Sequence, residues 1–125
     1  MCGIIGIYGE GASPDALQAG LSKLQHRGPD EAGLFEQSPI ALGIRRLSII
    51  DLTEGVQPVR NESSEVVAVM NGEIYNHKEL EKKFNLPNST GSDCEVILHL
   101  YIKFGLTETI HMLDGVFGFV LADDD

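Results

Sequence analysis

Met1-Cys2-Gly3-Ile4-Ile5-Gly6-Ile7 opens the chain, and its second residue carries chemistry that no internal cysteine has. Removal of Met1, the usual fate when residue 2 is small, would place a thiol and a free α-amine on one residue. A terminal α-amine titrates close enough to a thiol to take its proton near neutral pH, directly or through one water. The Gly-Ile-Ile-Gly-Ile run reads as a short buried strand bounded by glycine, which would anchor the terminus in the core and keep it from fraying. On these residues alone Cys2 is either an N-terminal nucleophile or an inert, small buried side chain.

Length and composition narrow the rest. A chain of 125 residues, 42% hydrophobic and 22% charged, is at most one globular domain, and it need not be a whole one. The sequence holds no apolar run near the ~18 residues of a membrane span and no basic-then-apolar leader, so a cytoplasmic location is the expectation. Cys2 and Cys94 cannot build a disulfide framework, and the 4 histidines show no zinc spacing with them, so no metal is expected. Asn61-Glu62-Ser63 and Asn88-Ser89-Thr90 match the glycosylation pattern but read as surface loops. A net charge of −10 argues against nucleic acid, which needs clustered Lys and Arg. The ligand is expected to be small.

Along the chain, Ser13-Pro14-Asp15 starts a helix with a capping serine and proline in the first turn. Leu17, Leu21 and Leu24 share its face, and His26-Arg27-Gly28-Pro29-Asp30 ends it. Strands are predicted over 33–37 and 40–46. Arg45-Arg46 interrupts the apolar run that continues to Ile50, so at least one arginine points at an edge or a ligand. An arginine fork suits a carboxylate, although a surface ion pair is the commoner use. A loop from Thr53 to Glu65 precedes a strand over 65–70, and Asn71-Gly72 behind it has the form of a hairpin turn. Asn76 with Glu79 resembles a capping box for a helix to Phe84. Ser92-Asp93-Cys94-Glu95 opens another, with Val96, Ile97, Leu100, Tyr101 and Phe104 buried and Gly105 ending it. Asp93 could serve only the helix dipole. Cys94, in the first turn, is either packing or a rival nucleophile. One or two helical turns over 107–112 and a strand over 115–122 complete the pattern.

Taken together, Met1-Cys2-Gly3-Ile4, His26-Arg27-Gly28-Pro29-Asp30, Arg46-Leu47-Ser48-Ile49-Ile50-Asp51, Asn71-Gly72-Glu73-Ile74-Tyr75-Asn76 and Ser92-Asp93-Cys94-Glu95-Val96-Ile97-Leu98 resemble the class II glutamine amidotransferases, and within them the glutamine-hydrolysing asparagine synthetases. These blocks, in order, cover nearly the whole chain. The resemblance implies an α+β N-terminal-nucleophile hydrolase fold, an αββα sandwich of two antiparallel sheets between helical layers. It also implies hydrolysis of the glutamine side-chain amide, with the ammonia passing to an ATP-using synthetase domain.

Carried over by position, Cys2 would attack the amide carbon to form a thioester, with its α-amine as base. Asn71, through its side-chain amide, and Gly72, through its N–H, would form the oxyanion hole. Arg46 would hold the α-carboxylate of L-glutamine and Asp93 its α-ammonium, while Leu47, Ser48, Ile49, Ile50 and Glu73 flank the pocket. The loop of His26 and Arg27 would organise the pocket, and Cys94 would be packing. No cofactor is implied for this chain; ATP and Mg belong to the synthetase domain, present in cis or in trans. Relatives continue past the equivalent of Asp123 with further strands and that domain, so the chain reads as C-terminally truncated, with an exposed edge and a tendency to self-associate. Two readings follow: the glutaminase portion of an asparagine synthetase, or a non-catalytic glutamine-binding or interaction module.

Overall fold

The computed structural model describes residues 2–47 and 57–124, so the contact expectations for Ser48, Ile49 and Ile50 lie outside the described residues. Two antiparallel sheets stack face to face, each covered on its outer face by helix, which makes the fold α+β. The first sheet has the order β1-β3-β2 and comprises β1 (Gly3–Tyr8), β2 (Glu31–Gln37) and β3 (Ile40–Arg46). The second has the order β4-β5-β6 and comprises β4 (Val59–Arg60), β5 (Val66–Ile74) and β6 (Gly115–Asp123). Among the described residues nothing pairs with the outer edge of β6.

Alternation along the strands builds the layers. On β3, Ala41 turns outward to meet Leu17 and Leu21 of α1 (Pro14–Lys23), with Ile5 and Ile7 of β1 beside them. Leu42 and Ile44, one step out of phase, turn inward to Val67 and Val69 of β5, with Ile4, Phe35 and Val120 around them. The alternate β5 residues Val66, Ala68 and Met70 face the other way, onto Val96, Ile97 and Leu100 of α3 (Cys94–Phe104). Residues 66–70 are therefore buried on both faces, which is why they read as an unbroken apolar run. Each fully buried Leu, Ile or Val contributes about 1.5–3 kcal/mol from lost apolar exposure.

Local signals account for most element ends. Ser13 caps α1 as predicted, its Oγ accepting the Ala16 N–H at 3.1 Å, an interaction that contributes about 1 kcal/mol. Gly105, at φ 84°, separates α3 from α4 (Leu106–Met112). The capping box at Asn76 does not form: α2 (His77–Phe84) has no side-chain cap. The Asn76 amide instead donates to the Met112 carbonyl at 2.9 Å and accepts the Asp114 N–H at 3.0 Å. Two long-range bonds thus displace the local cap and tie β5 to the start of β6. Likewise Asn71-Gly72 makes no hairpin. β5 runs straight through it to Ile74, because β6 pairs along the whole length from Val66↔Asp123 to Ile74↔Gly115. The loop expected over 53–65 contains β4, too short to show a pattern of its own.

Candidate functional site

The described candidate residues of β1, β3 and β5 lie toward one end of the sandwich. Gly3 lies opposite Arg45 in the β1–β3 register, which puts Cys2 beside the C-terminal end of β3. Cys2 packs with Ile4 against the inter-sheet cluster that holds Val67 and Val69, and Asn71 lies one alternation beyond Val69 on that same face of β5. Gln57 fixes the two sheets' ends together. Its carbonyl lies so close to Gly33 of β2 that a Cβ there would collide with it, while its side-chain Oε1 accepts the Met70 N–H at 2.7 Å.

The loop between α1 and β2 closes over this end. Arg27 donates from Nε to the Cys2 carbonyl at 3.1 Å, so the residue carrying the thiol is held from the backbone side. Arg45 donates to the Gly28 and Pro29 carbonyls at 2.8 and 3.2 Å, and the Asp30 N–H reaches the Arg46 carbonyl at 3.1 Å. Of the two adjacent arginines, Arg45 therefore anchors the loop. Arg46 makes an ion pair with Glu31, its cross-strand partner; the Arg46 side chain is only 12% exposed. Glu31 has no signal in the sequence beyond following Asp30, because its pairing depends on the β2–β3 register.

The oxyanion donors depend on which edge of β5 faces outward. Val66 exchanges bonds with Asn61 on the β4 edge, the Asn61 N–H to the Val66 carbonyl at 3.2 Å and the Val66 N–H to Asn61 Oδ1 at 3.1 Å. By the two-residue repeat of a strand, Ala68, Met70, Gly72 and Ile74 turn their N–H groups to that same edge. β4 ends its register at Val59↔Ala68. Beyond it, Gln57 takes the Met70 N–H and the Asp93 carboxylate takes the Ile74 N–H at 2.8 Å. Among the described residues neither β4 nor those two acceptors reaches the Gly72 N–H between them. Gly72 sits at φ +132°, and a Cβ there would strike the Val116 carbonyl and Phe117 Cα of β6, so glycine alone fits. Glu73 is exposed and pairs with Val116; Leu47 is exposed at the end of β3.

Asp93 precedes α3 without capping it. Its Oδ2 is committed to Ile74, across from the helix to the strand. Cys94 is wholly buried against β5, and burial, then the charges of Asp93 and Glu95, push its thiol far up from the ordinary value. A thiol so held stays protonated and reaches no substrate. Glu95, read in the sequence only as part of the stretch that opens the helix, is 4% exposed and ringed by donors from Ser89, Thr90 and His99.

A half-buried Cys2 at the start of β1, in a sandwich of two antiparallel sheets covered by helices, is the arrangement that the glutamine amidotransferase resemblance implies. The chain belongs to the glutamine amidotransferase domain family, whose model matches residues 1–125. It is 44% identical to asparagine synthetase [glutamine-hydrolyzing] 1 of Arabidopsis thaliana over 98% of this chain and 22% of that protein. The Zea mays asparagine synthetase [glutamine-hydrolyzing] is 47% identical over the same shares, and that of Sandersonia aurantiaca is 46% identical, with 24% of its length covered. The chain thus spans less than a quarter of these relatives. In three dimensions it matches glutamine phosphoribosylpyrophosphate amidotransferase from B. subtilis with a TM-score of 0.70 at 23% identity, over 98% of this chain and 35% of the other, a likeness of fold.

Proposed function

We propose that this chain, once Met1 is removed, is the glutaminase portion of an asparagine synthetase, hydrolysing the side-chain amide of L-glutamine to glutamate and ammonia. The Cys2 thiol gives its proton to the residue's own α-amine and its sulfur attacks the amide carbon. The carbonyl oxygen becomes an oxyanion received by the Asn71 side-chain amide and the Gly72 N–H. The protonated amine then returns its proton to the departing nitrogen, releasing ammonia and leaving a thioester. Water cleaves the thioester to glutamate and restores the thiol. Arg46 holds the substrate α-carboxylate and Asp93 its α-ammonium, with Leu47 to Ile50 and Glu73 around the pocket.

The observation that supports this reading is the Gly72 N–H, between two capped neighbours on a strand edge at the Cys2 end of the sandwich and taken by no acceptor among the described residues. One such donor is worth about 3–4 kcal/mol of transition-state stabilisation. The ammonia would go to a synthetase domain in cis or in trans, where ATP and Mg are needed to amidate aspartate. Two unpaired cysteines, one of which must remain a thiol to react, suit a reducing compartment such as the cytoplasm. The edge of β6, which no strand among the described residues pairs with, would give an isolated chain a route to self-association.

The test is ammonia release from glutamine by protein whose intact mass shows Met1 removed. Cys2→Ala should abolish it and Cys94→Ala should leave most of it. Turnover by protein still carrying Met1, or loss with Cys94→Ala and not with Cys2→Ala, would overturn the mechanism. Tight glutamine binding without any turnover would favour the binding-module reading.

A further inference from the structure

We propose that Glu95 is a positioning residue for substrate selection: by locking the Ser89–Thr90 loop onto the first turn of α3, it keeps the neighbouring Asp93 carboxylate aimed at the site, where Asp93 distinguishes glutamine from an amide lacking the α-amine. This rests on the role of Asp93 proposed above. Glu95 is a buried carboxylate that the hydrolytic steps do not use. Its two oxygens accept the Ser89 N–H, each at 3.1 Å, and the Thr90 N–H at 3.0 Å. They also accept the Ser89 hydroxyl at 3.1 Å and the Thr90 hydroxyl at 2.7 Å, and lie 3.2 Å from His99 Nε2. Burial alone would raise such a group; the bonds from Thr90, Ser89 and His99 outweigh it and hold its pKa down to about 2.

A carboxylate so fully engaged by the protein has no capacity left for a ligand, and what it does is fix its donors. The chain of bonds leads directly to Asp93. Thr90 Oγ1, held by Glu95, accepts the Ser92 N–H at 3.1 Å, and Ser92 Oγ accepts the Cys94 N–H at 3.1 Å. Both residues flanking Asp93 are thereby pinned. An aspartate in this position ordinarily turns back to accept an N–H of its own helix. Here the two N–H groups that such a cap would take are already engaged by backbone, Glu95 with the Ser92 carbonyl and Val96 with the Asp93 carbonyl, each at 3.3 Å; the Asp93 side chain makes no cap bond and crosses to Ile74 instead. Glu95 and its loop supply the local satisfaction that leaves Asp93 available for a cation.

The test compares two ligands in a Cys2→Ala background of the full chain, which binds without turnover: L-glutamine and 4-carbamoylbutanoate, the same molecule without its α-amine. The background should prefer glutamine by roughly ten- to hundredfold, the scale of one charge-assisted hydrogen bond. Asp93→Asn should collapse that preference. Glu95→Gln, which turns an amide donor toward Ser89 and Thr90, should collapse it too while changing affinity for 4-carbamoylbutanoate less than about threefold. Thr90→Val, removing the hydroxyl's bonds to Glu95 and to the Ser92 N–H while leaving the carboxylate charge, should lower the preference and covers the case in which Glu95→Gln does not fold. An intact preference in folded Glu95→Gln, an intact one in Thr90→Val where Glu95→Gln does not fold, or equal weakening of both ligands would overturn the proposal. A background with no preference, or Asp93→Asn that keeps it, would sink the role of Asp93 itself and this one with it, and is recognised before Glu95 is touched.

Discussion

The Asp93 carboxylate and the Ile74 N–H meet at 2.8 Å, joining the start of α3 to the strand edge that presents Gly72 two residues earlier. One side chain thus serves the strand and, in the proposed reaction, the substrate cation. Substitution separates the two. Asn at 93 keeps an acceptor for Ile74 and loses the charge, so thermal stability should change by less than about 1 kcal/mol while glutamine affinity falls roughly ten- to hundredfold. Ala at 93 loses both and leaves a buried N–H unpaired, at a cost of about 1–3 kcal/mol. Calorimetric melts beside binding isotherms of the two variants check this; equal effects of Asn and Ala on both quantities would contradict it.

Arg46 is paired with Glu31 at the same end of the sandwich. A substrate carboxylate would join Glu31 around one guanidinium, and a planar fork can serve two anions where an ammonium offers a single compact charge. Arg46→Lys should therefore weaken glutamine binding by about 1.5–3 kcal/mol, despite the retained charge. Glu31→Gln should leave binding unchanged or tighten it, since it removes a competitor. The readout is glutamine affinity by titration; unaltered affinity in Arg46→Lys would remove the arginine from the clamp.

The sequence carries the layers of this fold more plainly than its site. Ser13, Gly105 and the short apolar run that opens 40–46 act through neighbours a few residues away, and each marks the element or element end it predicts. Asn71-Gly72 and Asn76 mislead a local reading because their partners lie far along the chain: β6 across the strand, and Met112 and Asp114 across the sheet end. β4, with only Val59 and Arg60, has too few residues for a period. The resemblance of whole blocks picks out Cys2, Arg46, Asn71, Gly72 and Asp93 as candidates, whereas it gives no role to Glu31, Gln57 or Glu95. What those three do is set by register, by the contact between sheets and by a closed loop, none of which leaves a local pattern.

Gln57 supplies a case where a loop residue finishes a sheet. Its amide oxygen takes the Met70 N–H in the place a longer β4 would have filled. Gln57→Ala should leave that buried donor unpaired and cost about 1–3 kcal/mol in unfolding free energy. Freed of that restraint, β5 should also move Gly72, lowering kcat for glutamine hydrolysis more than it raises KM. Gln57→Glu, which keeps an acceptor, should retain more stability than Ala. Urea melts and steady-state kinetics on the pair decide the matter. Equal stability of Ala and wild type would mean that water replaces the side chain fully.

The last expectation concerns acid. Glu95 is held at about 2 in the folded protein, against roughly 4.3 for a glutamate in an unfolded chain. A carboxyl depressed by folding binds fewer protons folded than unfolded, so its contribution is complete above the unfolded value. It is lost as pH falls toward the folded one. The stability it confers should therefore be constant from neutral pH down to about 5, decline between about 4.5 and 2, and vanish below that. His99 also faces this carboxylate; His99→Gln, which keeps a donor, should leave the acid limb in place. Glu95→Gln should be less stable than wild type at pH 7, and the gap between the two should close as pH approaches 2. Chemical unfolding at a series of pH values reads that gap directly. A gap that stays constant from pH 7 to 2 would show that the ring of donors around Glu95 does not depend on its charge.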